Sequence, residues 1–183
     1  MPVRAPGFSL IEMIIAMAIG GVLLLGAMRL LPQLQGQNRQ LLAQLQLDEE
    51  LQQMMMTLEK ALRRAGYCHG QCGGEGLQIA AGGQCVLIQW DENSNGRWEA
   101  PGDEESEFYG YRLRNNSLEM QRGVSSCDGG GWERLSDPQS VIVTRFQVQR
   151  DSRIIKLTLS AYTPTFPGRI QVLEQWVRGM NLP

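Results

Sequence analysis

The stretch Gly7-Phe8-Ser9-Leu10-Ile11-Glu12 decides how this sequence folds, because an uncharged apolar run, residues 13–28, follows it directly. That run falls slightly short of the roughly twenty residues that span a bilayer, and the segment 8–28 reaches this length only if Glu12 enters the membrane. A carboxylate inside a membrane costs about 3 kcal/mol and is rarely kept without a role and a partner. The segment therefore predicts a membrane helix in which Glu12 has a function.

Two ordinary interpretations of this segment each leave part of it unexplained. A cleaved secretory signal also combines a basic start, an apolar core and a small-residue cleavage site. The form A-x-A occurs at Ala16-Met17-Ala18, but more apolar sequence follows it. A plain membrane anchor accounts for the length of the run and leaves the cost of Glu12 without a reason. Both stay open as alternatives to a third interpretation that uses every residue of the motif.

The motif at residues 7–12 resembles the cleavage site of type IV prepilins and of type II secretion pseudopilins. The shared features are the glycine, the aromatic residue, Ser-Leu and a glutamate five residues into the mature chain. In that superfamily a membrane peptidase cuts after the glycine and methylates the new amino terminus. The resemblance therefore implies cleavage between Gly7 and Phe8, with N-methylation of Phe8. It also implies that Glu12 acts in assembly, where the amine of a neighbouring subunit neutralises its carboxylate.

The apolar run continues into an amphipathic pattern that predicts a single long helix from Phe8 to about Ala65, bent or broken at Pro32. Gly66 ends the pattern and follows two arginines that suit a helix C-terminus. The methionines at 54–56 are expected to pack in the core. Apolar residues recur at three- and four-residue intervals and define the face that would cover a sheet: Leu34, Leu41, Leu45, Leu51, Met55, Leu58, Leu62 and Ala65.

After Gly66 the composition changes to glycine-rich, strand-like sequence. Hairpin signals lie at Gly82-Gly83, Asn115-Asn116 and Asp151-Ser152. The predicted strands are residues 77–80, 85–90, 108–113, 117–122, 141–150, 153–162 and 169–177.

The fold class is therefore α+β and pilin-like, with a long N-terminal helix packed on an antiparallel β-sheet that buries one face. The predicted organisation is a leader at 1–7, a transmembrane and assembly helix at 8–31, the amphipathic half of the helix at 32–66, and a periplasmic β-rich domain at 67–183.

The four cysteines, Cys68, Cys72, Cys85 and Cys127, all lie beyond the apolar segment. An even number behind an export-type head predicts two disulfides in an oxidising compartment. Three connectivities are possible. We favour Cys72–Cys85, which would clip a hairpin, with Cys68–Cys127, which would tie the helix end to a late loop. A zinc site that includes His69 is the weaker alternative, because thiols in such a compartment usually pair.

The loop after the second predicted strand is the one stretch with metal character. Its oxygen-bearing residues alternate before a glycine, as in the first half of a calcium loop. The match then fails, because the twelfth position is Gly102 and no helix precedes the loop. The alternative is an Asx-turn loop, in which Asp and Asn bind their own backbone. Calcium is the one candidate cofactor, and its predicted ligands are Asp91, Asn93, Asn95 and Glu99.

The remaining composition argues against two classes of function. A net charge of −2 without a basic tract argues against direct nucleic-acid binding. A single histidine, without a nucleophile elbow or phosphate loop, predicts that the chain is not an enzyme. The acidic residues are expected to cluster in a solvent-facing loop instead of forming an isolated catalytic pair.

Two further stretches indicate which family of the superfamily this chain resembles: AGYCHGQCGGEGL at 65–77 and QWDENSNGRW at 89–98. With the late strands, they are similar to the prepilin peptidase-dependent protein B family of minor pilins, relatives of W-type minor pilins and J-type pseudopilins. The resemblance implies processing by prepilin peptidase and a single pass through the inner membrane, with the globular domain in the periplasm. Arg4 on the cytoplasmic side agrees with this orientation.

The implied partners are other minor and major pilins or pseudopilins, in a complex that primes assembly and sits at the base or tip of a filament. A minor pseudopilin of a type II secretion system is the alternative within the superfamily. Two rival functions from other classes remain. One is a secreted, disulfide-linked calcium-binding module with a cleaved signal. The other is a permanently anchored periplasmic enzyme or sensor.

Overall fold

The structure, a computed structural model, describes residues 7–183, apart from the side chains of Leu30 and Leu31. Helix α1 covers Leu10–Arg64 and continues through Pro32. The predicted helix is therefore confirmed to within about two residues at each end, which is the usual uncertainty of helix boundaries. The predicted leader, with Arg4, lies outside the described residues except for Gly7.

The chain divides into two compact units, and the first extends to Leu42. Every large apolar side chain described between Phe8 and Met28 is at least half exposed. The most apolar 18-residue stretch of α1 has a mean hydropathy of 2.3, and none of it is buried. By length and composition, this helix can cross a membrane.

In the second unit, residues 43–183, the C-terminal part of α1 packs into the hydrophobic core. The buried face begins at Leu47, so the predicted stripe is wrong at Leu34, Leu41 and Leu45, which are all more than half exposed. Helical periodicity marks an apolar face but does not say what covers it. The buried residues of the helix are Leu47, Leu51, Met54, Met55, Leu58, Ala61, Leu62 and Ala65.

The prediction that the methionines at 54–56 pack in the core is confirmed only in part. Met54 and Met55 are buried, but Met56 is 58% exposed. Three consecutive helical residues point about 100° apart, so they cannot all face one sheet.

Two antiparallel sheets form the rest of the second unit, where the sequence pattern predicts one. Each predicted strand is present, with small shifts at its ends. The five-stranded sheet contains, in spatial order, β1 (Leu77–Ala80), β2 (Cys85–Gln89), β3 (Phe108–Arg114), β4 (Ser117–Arg122) and β5 (Glu133–Arg134). The three-stranded sheet contains β6 (Ile142–Asp151), β7 (Ile154–Tyr162) and β8 (Gln171–Arg178).

The alternating residues of β6 and β7 supply the second layer of the core. Phe146, Val148, Ile155, Leu157 and Leu159 are almost completely buried and belong to the same cluster as the helix residues. The predicted one-sided burial is confirmed for β6, whereas the central strand β7 also buries Thr158 and Ser160 on its opposite face. Strand β5 was not predicted, because its two residues are exposed and too few to show alternation.

Local turn chemistry sets the ends of these elements. Asn115 and Asn116 both have positive φ, at 49° and 61°, as a two-residue type I′ hairpin requires. Gly66 ends the helix with φ 80°, and a Cβ there would lie 2.7 Å from the backbone oxygen of Asn181. Only glycine fits that position without displacing the backbone.

The disulfides join Cys68 to Cys72 and Cys85 to Cys127, so the pairing that we favoured from the sequence is wrong. Cys68 and Cys72 lie within one tight turn, with Cα atoms 6.0 Å apart. Cys85 begins β2 opposite Arg112 of β3, and the Arg112 guanidinium donates to the carbonyl oxygen of Cys127 at 2.6 Å. Strand pairing therefore brings the later loop to Cys85.

Removing the Cys85–Cys127 disulfide should destabilise the chain more than removing the Cys68–Cys72 disulfide. The two bonds close loops with sequence separations of 42 and 4 residues. In the chain-entropy account these losses are about 4 and about 2 kcal/mol. Denaturant unfolding of Cys85→Ala/Cys127→Ala and of Cys68→Ala/Cys72→Ala, as full chains in detergent, measures both. Equal losses would contradict the loop-length explanation.

Candidate functional site

The processing motif lies at the exposed start of α1. Gly7 and Phe8 precede the helix, and the Phe8 side chain is 87% exposed. Ser9 is the residue before the helix, and its backbone N–H donates to Oε2 of Glu12 at 2.9 Å. This bond is one half of a capping box, in which a glutamate at the third helical position closes the helix start.

Glu12 therefore has a local role that the sequence interpretation missed. The pattern Ser9-x-x-Glu12 is the signal that reveals it, because a serine followed three residues later by a glutamate is typical of a helix N-terminus. The positive end of the helix dipole adds to this preference for a carboxylate. Among the described residues, Oε1 of Glu12 receives no hydrogen bond, so one carboxylate oxygen is free to meet a further donor.

The acidic loop is organised around Asp91, which is 1% exposed. Its Oδ2 accepts from the backbone N–H groups of His69 and Gly96, both at 2.9 Å, and its Oδ1 accepts from Asn95 N–H at 3.0 Å. Desolvation alone would raise the pKa of Asp91, but these backbone donors outweigh it and lower the pKa. Asp91 thus holds the small disulfide turn against the loop.

The other predicted calcium ligands also use their side chains within the loop. Asn93 Oδ1 accepts from Asn95 N–H at 3.0 Å, and Asn95 Oδ1 accepts from Arg97 N–H at 3.1 Å. Asn95 Nδ2 donates to Glu99 Oε1 at 2.6 Å, and Arg97 Nε donates to the same oxygen at 2.9 Å. The first two are the contacts of the Asx-turn alternative, in which Asn accepts from the backbone N–H two residues later. Calcium binding by Asp91, Asn93, Asn95 and Glu99 together stays a prediction.

The zinc alternative is not supported by the cysteine chemistry. The Sγ atoms of Cys68 and Cys72 lie within 4.8 Å of a carboxylate oxygen of Asp91 and of each other. Both sulfurs are bonded in the disulfide, which removes the thiolates that zinc requires.

Asp91→Asn should lower the stability of the chain at neutral pH, because the variant loses the charge that accepts three backbone N–H groups. The pKa of Asp91 is lowered in the folded state, so its contribution is complete above the usual carboxyl pKa of 3.8 and is lost as the pH falls through the folded value. Thermal unfolding should show that the difference in Tm between the variant and the wild type (the Tm gap) decreases from pH 7 to pH 3. The exposed Asp103→Asn variant is the control. A gap that does not change with pH would contradict the role of the charge.

The sequence did not predict that Glu99 and Glu107 would form a pair of neighbouring carboxyl groups. Glu107 stands just before β3 and is 1% exposed, although the acidic residues were expected to face solvent. Its Oε1 accepts from the N–H groups of Glu92 and Asn93, and its backbone N–H donates to the carbonyl oxygen of Glu99. That expectation is therefore wrong for Asp91 and Glu107. Pairing of β3 with β2 and the backbone hydrogen bond to Glu99 bring Glu107 to the loop, and no motif in the sequence marks either contact.

The two carboxyl groups differ in their affinity for a proton. Hydrogen bonds from Asn95 and Arg97 lower the pKa of Glu99 to about 2, although desolvation opposes them. Burial is the main cause that raises the pKa of Glu107, and the adjacent Glu99 raises it further. Glu107 therefore binds a proton more tightly than Glu99 does.

A stacked pair of aromatic residues contacts the acidic loop. Trp90 stacks on Tyr109, with ring centroids 3.8 Å apart and planes 8° from parallel. Tyr109 Oη donates to Glu92 Oε2 at 2.6 Å, and Arg122 lies 3.5 Å from the same oxygen. These contacts hold the Glu92 side chain against the stacked rings.

Comparison with known proteins gives three findings. The family model described as prepilin peptidase-dependent protein B matches residues 40–179, and the model of the prokaryotic N-terminal methylation motif matches residues 4–28. Prepilin peptidase-dependent protein B of Escherichia coli (strain K12) is 43% identical over 187 aligned positions, which cover 100% of both chains. No solved structure matches the chain at a significant level.

Proposed function

The chain belongs to the prepilin peptidase-dependent protein B family, and on this basis we propose that it is a minor pilin that primes or caps a type IV pilus-like filament. The observation that carries the proposal is the position of the methylation motif. It stands at the start of a helix whose large apolar side chains are all exposed as far as Met28. Lipid covers that surface before assembly, and the helices of neighbouring subunits cover it afterwards.

Processing comes first in this mechanism. Prepilin peptidase cleaves between Gly7 and Phe8 and methylates the new amino terminus. The site precedes the helix, so its peptide bond is outside the helical hydrogen-bond pattern. A Cβ on Gly7 would meet no atom of residues 7–183 within 4 Å, so the described part of the fold does not require glycine there. The small residue instead suits the active site of the peptidase.

Assembly then depends on the first helical turn and the apolar face. Oε2 of Glu12 caps its own helix, and Oε1 pairs with the methylated amine of a neighbouring subunit. Both charges are neutralised as they leave the lipid headgroup region. A Cβ added at Gly20, Gly21 or Gly26 would meet no atom within 4 Å, so no packing within the chain requires these glycines. They allow the helices of partner pilins to approach closely.

The proposed cellular location follows from the apolar helix and the disulfide-bonded domain. The helix at 8–31 anchors the chain in the inner membrane, and the disulfide-bonded domain stands in the oxidising periplasm. The chain then moves to the base or tip of the filament together with other minor pilins. This role needs burial and charge pairing and no catalysis by the chain itself.

The mature amino terminus tests the first step. Mass spectrometry of the chain from membranes that contain prepilin peptidase should find N-methylated Phe8. A start after Ala18 would overturn the proposal in favour of a secreted module. An intact Met1 would overturn it in favour of a permanent anchor.

A deletion strain tests the second step and separates the two members of the superfamily. A minor pilin should restore filament number when it is returned to the strain. A type II pseudopilin should instead restore secretion of exoproteins without changing pilus number.

A further inference from the structure

The Glu99–Glu107 pair leaves two carboxylate oxygens buried without a hydrogen-bond donor. Oε1 of Glu107 accepts two backbone N–H groups, and Oε1 of Glu99 accepts from Asn95 and Arg97. Oε2 of each residue is buried and receives no hydrogen bond within the described part of the chain. A buried carboxylate oxygen without a donor is costly, so its position calls for a proton or a cation.

The charges around the pair leave an excess of negative charge. Four carboxylates take part in the hydrogen bonds of the loop and its edge: Asp91, Glu92, Glu99 and Glu107. Arg97 binds Glu99 from the loop, and Arg122 of β4 approaches Glu92 at 3.5 Å. Tyr109 of β3 contributes a neutral hydroxyl group. Two guanidinium groups against four carboxylates leave two negative charges, which one divalent cation would balance.

We propose that Glu99 and Glu107 form a binding site for a divalent cation, which lies between their Oε2 atoms. The donors are carboxylate oxygens, and hard cations of the calcium type prefer such donors. Of the ligands predicted from the sequence, the proposed site includes Glu99. Its second ligand is Glu107 and not Asp91, because the oxygens of Asp91 already accept from backbone donors.

The ion would join two residues that are eight positions apart in the connection between β2 and β3. Glu99 ends the loop after β2, and Glu107 stands at the start of β3. Glu107 N–H already donates to the Glu99 carbonyl oxygen at 3.2 Å, so the two residues are held side by side before an ion binds. A site with two carboxylates should have an affinity like that of extracellular calcium modules, with Kd of about 0.1–1 mM. The site is independent of the proposed role in filament assembly.

The test uses the full chain in detergent, freed of metal with a chelator. Its Tm at pH 7 is followed by tryptophan fluorescence with CaCl2 up to about 10 mM, at constant ionic strength set with NaCl. Saturating calcium should raise the Tm by about 5 °C, and excess chelator should reverse the rise. A Tm that calcium does not change would overturn the proposal and leave a shared proton between the two groups.

Glu107→Gln is the decisive variant. Its side-chain oxygen still accepts the backbone N–H groups of Glu92 and Asn93, and its amide can donate to Glu99, so the variant should fold without calcium. It should lose the calcium-dependent rise in Tm. Glu99→Gln is the second variant if Glu107→Gln does not fold. Glu104→Gln, at an exposed acid of the same segment, should keep the full response.

Asn93→Ala separates this site from the ligand set predicted from the sequence. Each variant is compared with its own Tm without calcium. Under the proposal, Asn93→Ala keeps the calcium response, because Asn93 is not a ligand. Loss of the response in Asn93→Ala, with a normal response in Glu107→Gln, would overturn the proposal in favour of the loop set.

Discussion

Replacing Gly7 with phenylalanine is expected to reduce formation of the mature chain at least tenfold, and the precursor should accumulate in the membrane. In the proposed processing step, the residue before the scissile bond enters the peptidase, so a large side chain there would clash with the active site of the peptidase. A tenfold loss corresponds to about 1.4 kcal/mol of transition-state stabilisation, which is small for a steric clash. Mass spectrometry of membrane fractions gives the ratio of chains that begin at Met1 and at Phe8.

Gly7→Ala is the matched control and should be processed much better than Gly7→Phe. A Cβ at this position meets no atom of the described part of the chain within 4 Å, so neither variant is expected to disturb the fold. Any difference between them therefore reports on the peptidase. Equal processing of both variants would show that the peptidase does not read the size of this residue.

Local signals explain why most of the fold was predictable. Asn115-Asn116 supplies the positive φ values of a hairpin, and Gly66 supplies the left-handed helix end. The apolar alternation of β6 and β7 marks their buried face. Each of these signals is complete within a few residues, so the sequence shows it directly.

Features that depend on pairing between distant segments were not predictable in the same way. The partner of Cys85 is set by the loop that follows β4, and no spacing of cysteines reveals that loop's position. Glu107 enters the acidic cluster because β3 pairs with β2, which places the start of β3 beside the start of the loop. The division into two sheets has the same cause, because periodicity identifies strands but not their neighbours.

The candidate site shows the same contrast. The motif at Gly7, Phe8 and Glu12 was recognisable because all its parts lie together in the chain. The loop at 91–99 was recognisable as a set of oxygens, but its hydrogen bonds were not. Asp91 is occupied by backbone donors, one of which comes from His69 in the disulfide turn.

Glu12→Gln is expected to leave the chain folded and processed but to reduce its incorporation into pilin assemblies by about a hundredfold. An unpaired charge in a buried setting costs about 3 kcal/mol or more, and the variant leaves the neighbouring amine without its partner. The amide oxygen still accepts Ser9 N–H, so the helix cap is retained. Co-purification with partner pilins from membranes, at equal amounts of mature chain, measures the loss.

Glu12→Ala distinguishes the charge from the cap, because it removes both. If pairing with a neighbour is the main role of Glu12, Gln and Ala variants should be equally defective. The missing cap adds only about 1 kcal/mol at an exposed helix end. It should not change unfolding of the second unit, whose core contains no helix residue before Leu47. Normal incorporation of Glu12→Gln with a defect confined to Glu12→Ala would assign the residue to capping its own helix and contradict the charge-pairing mechanism.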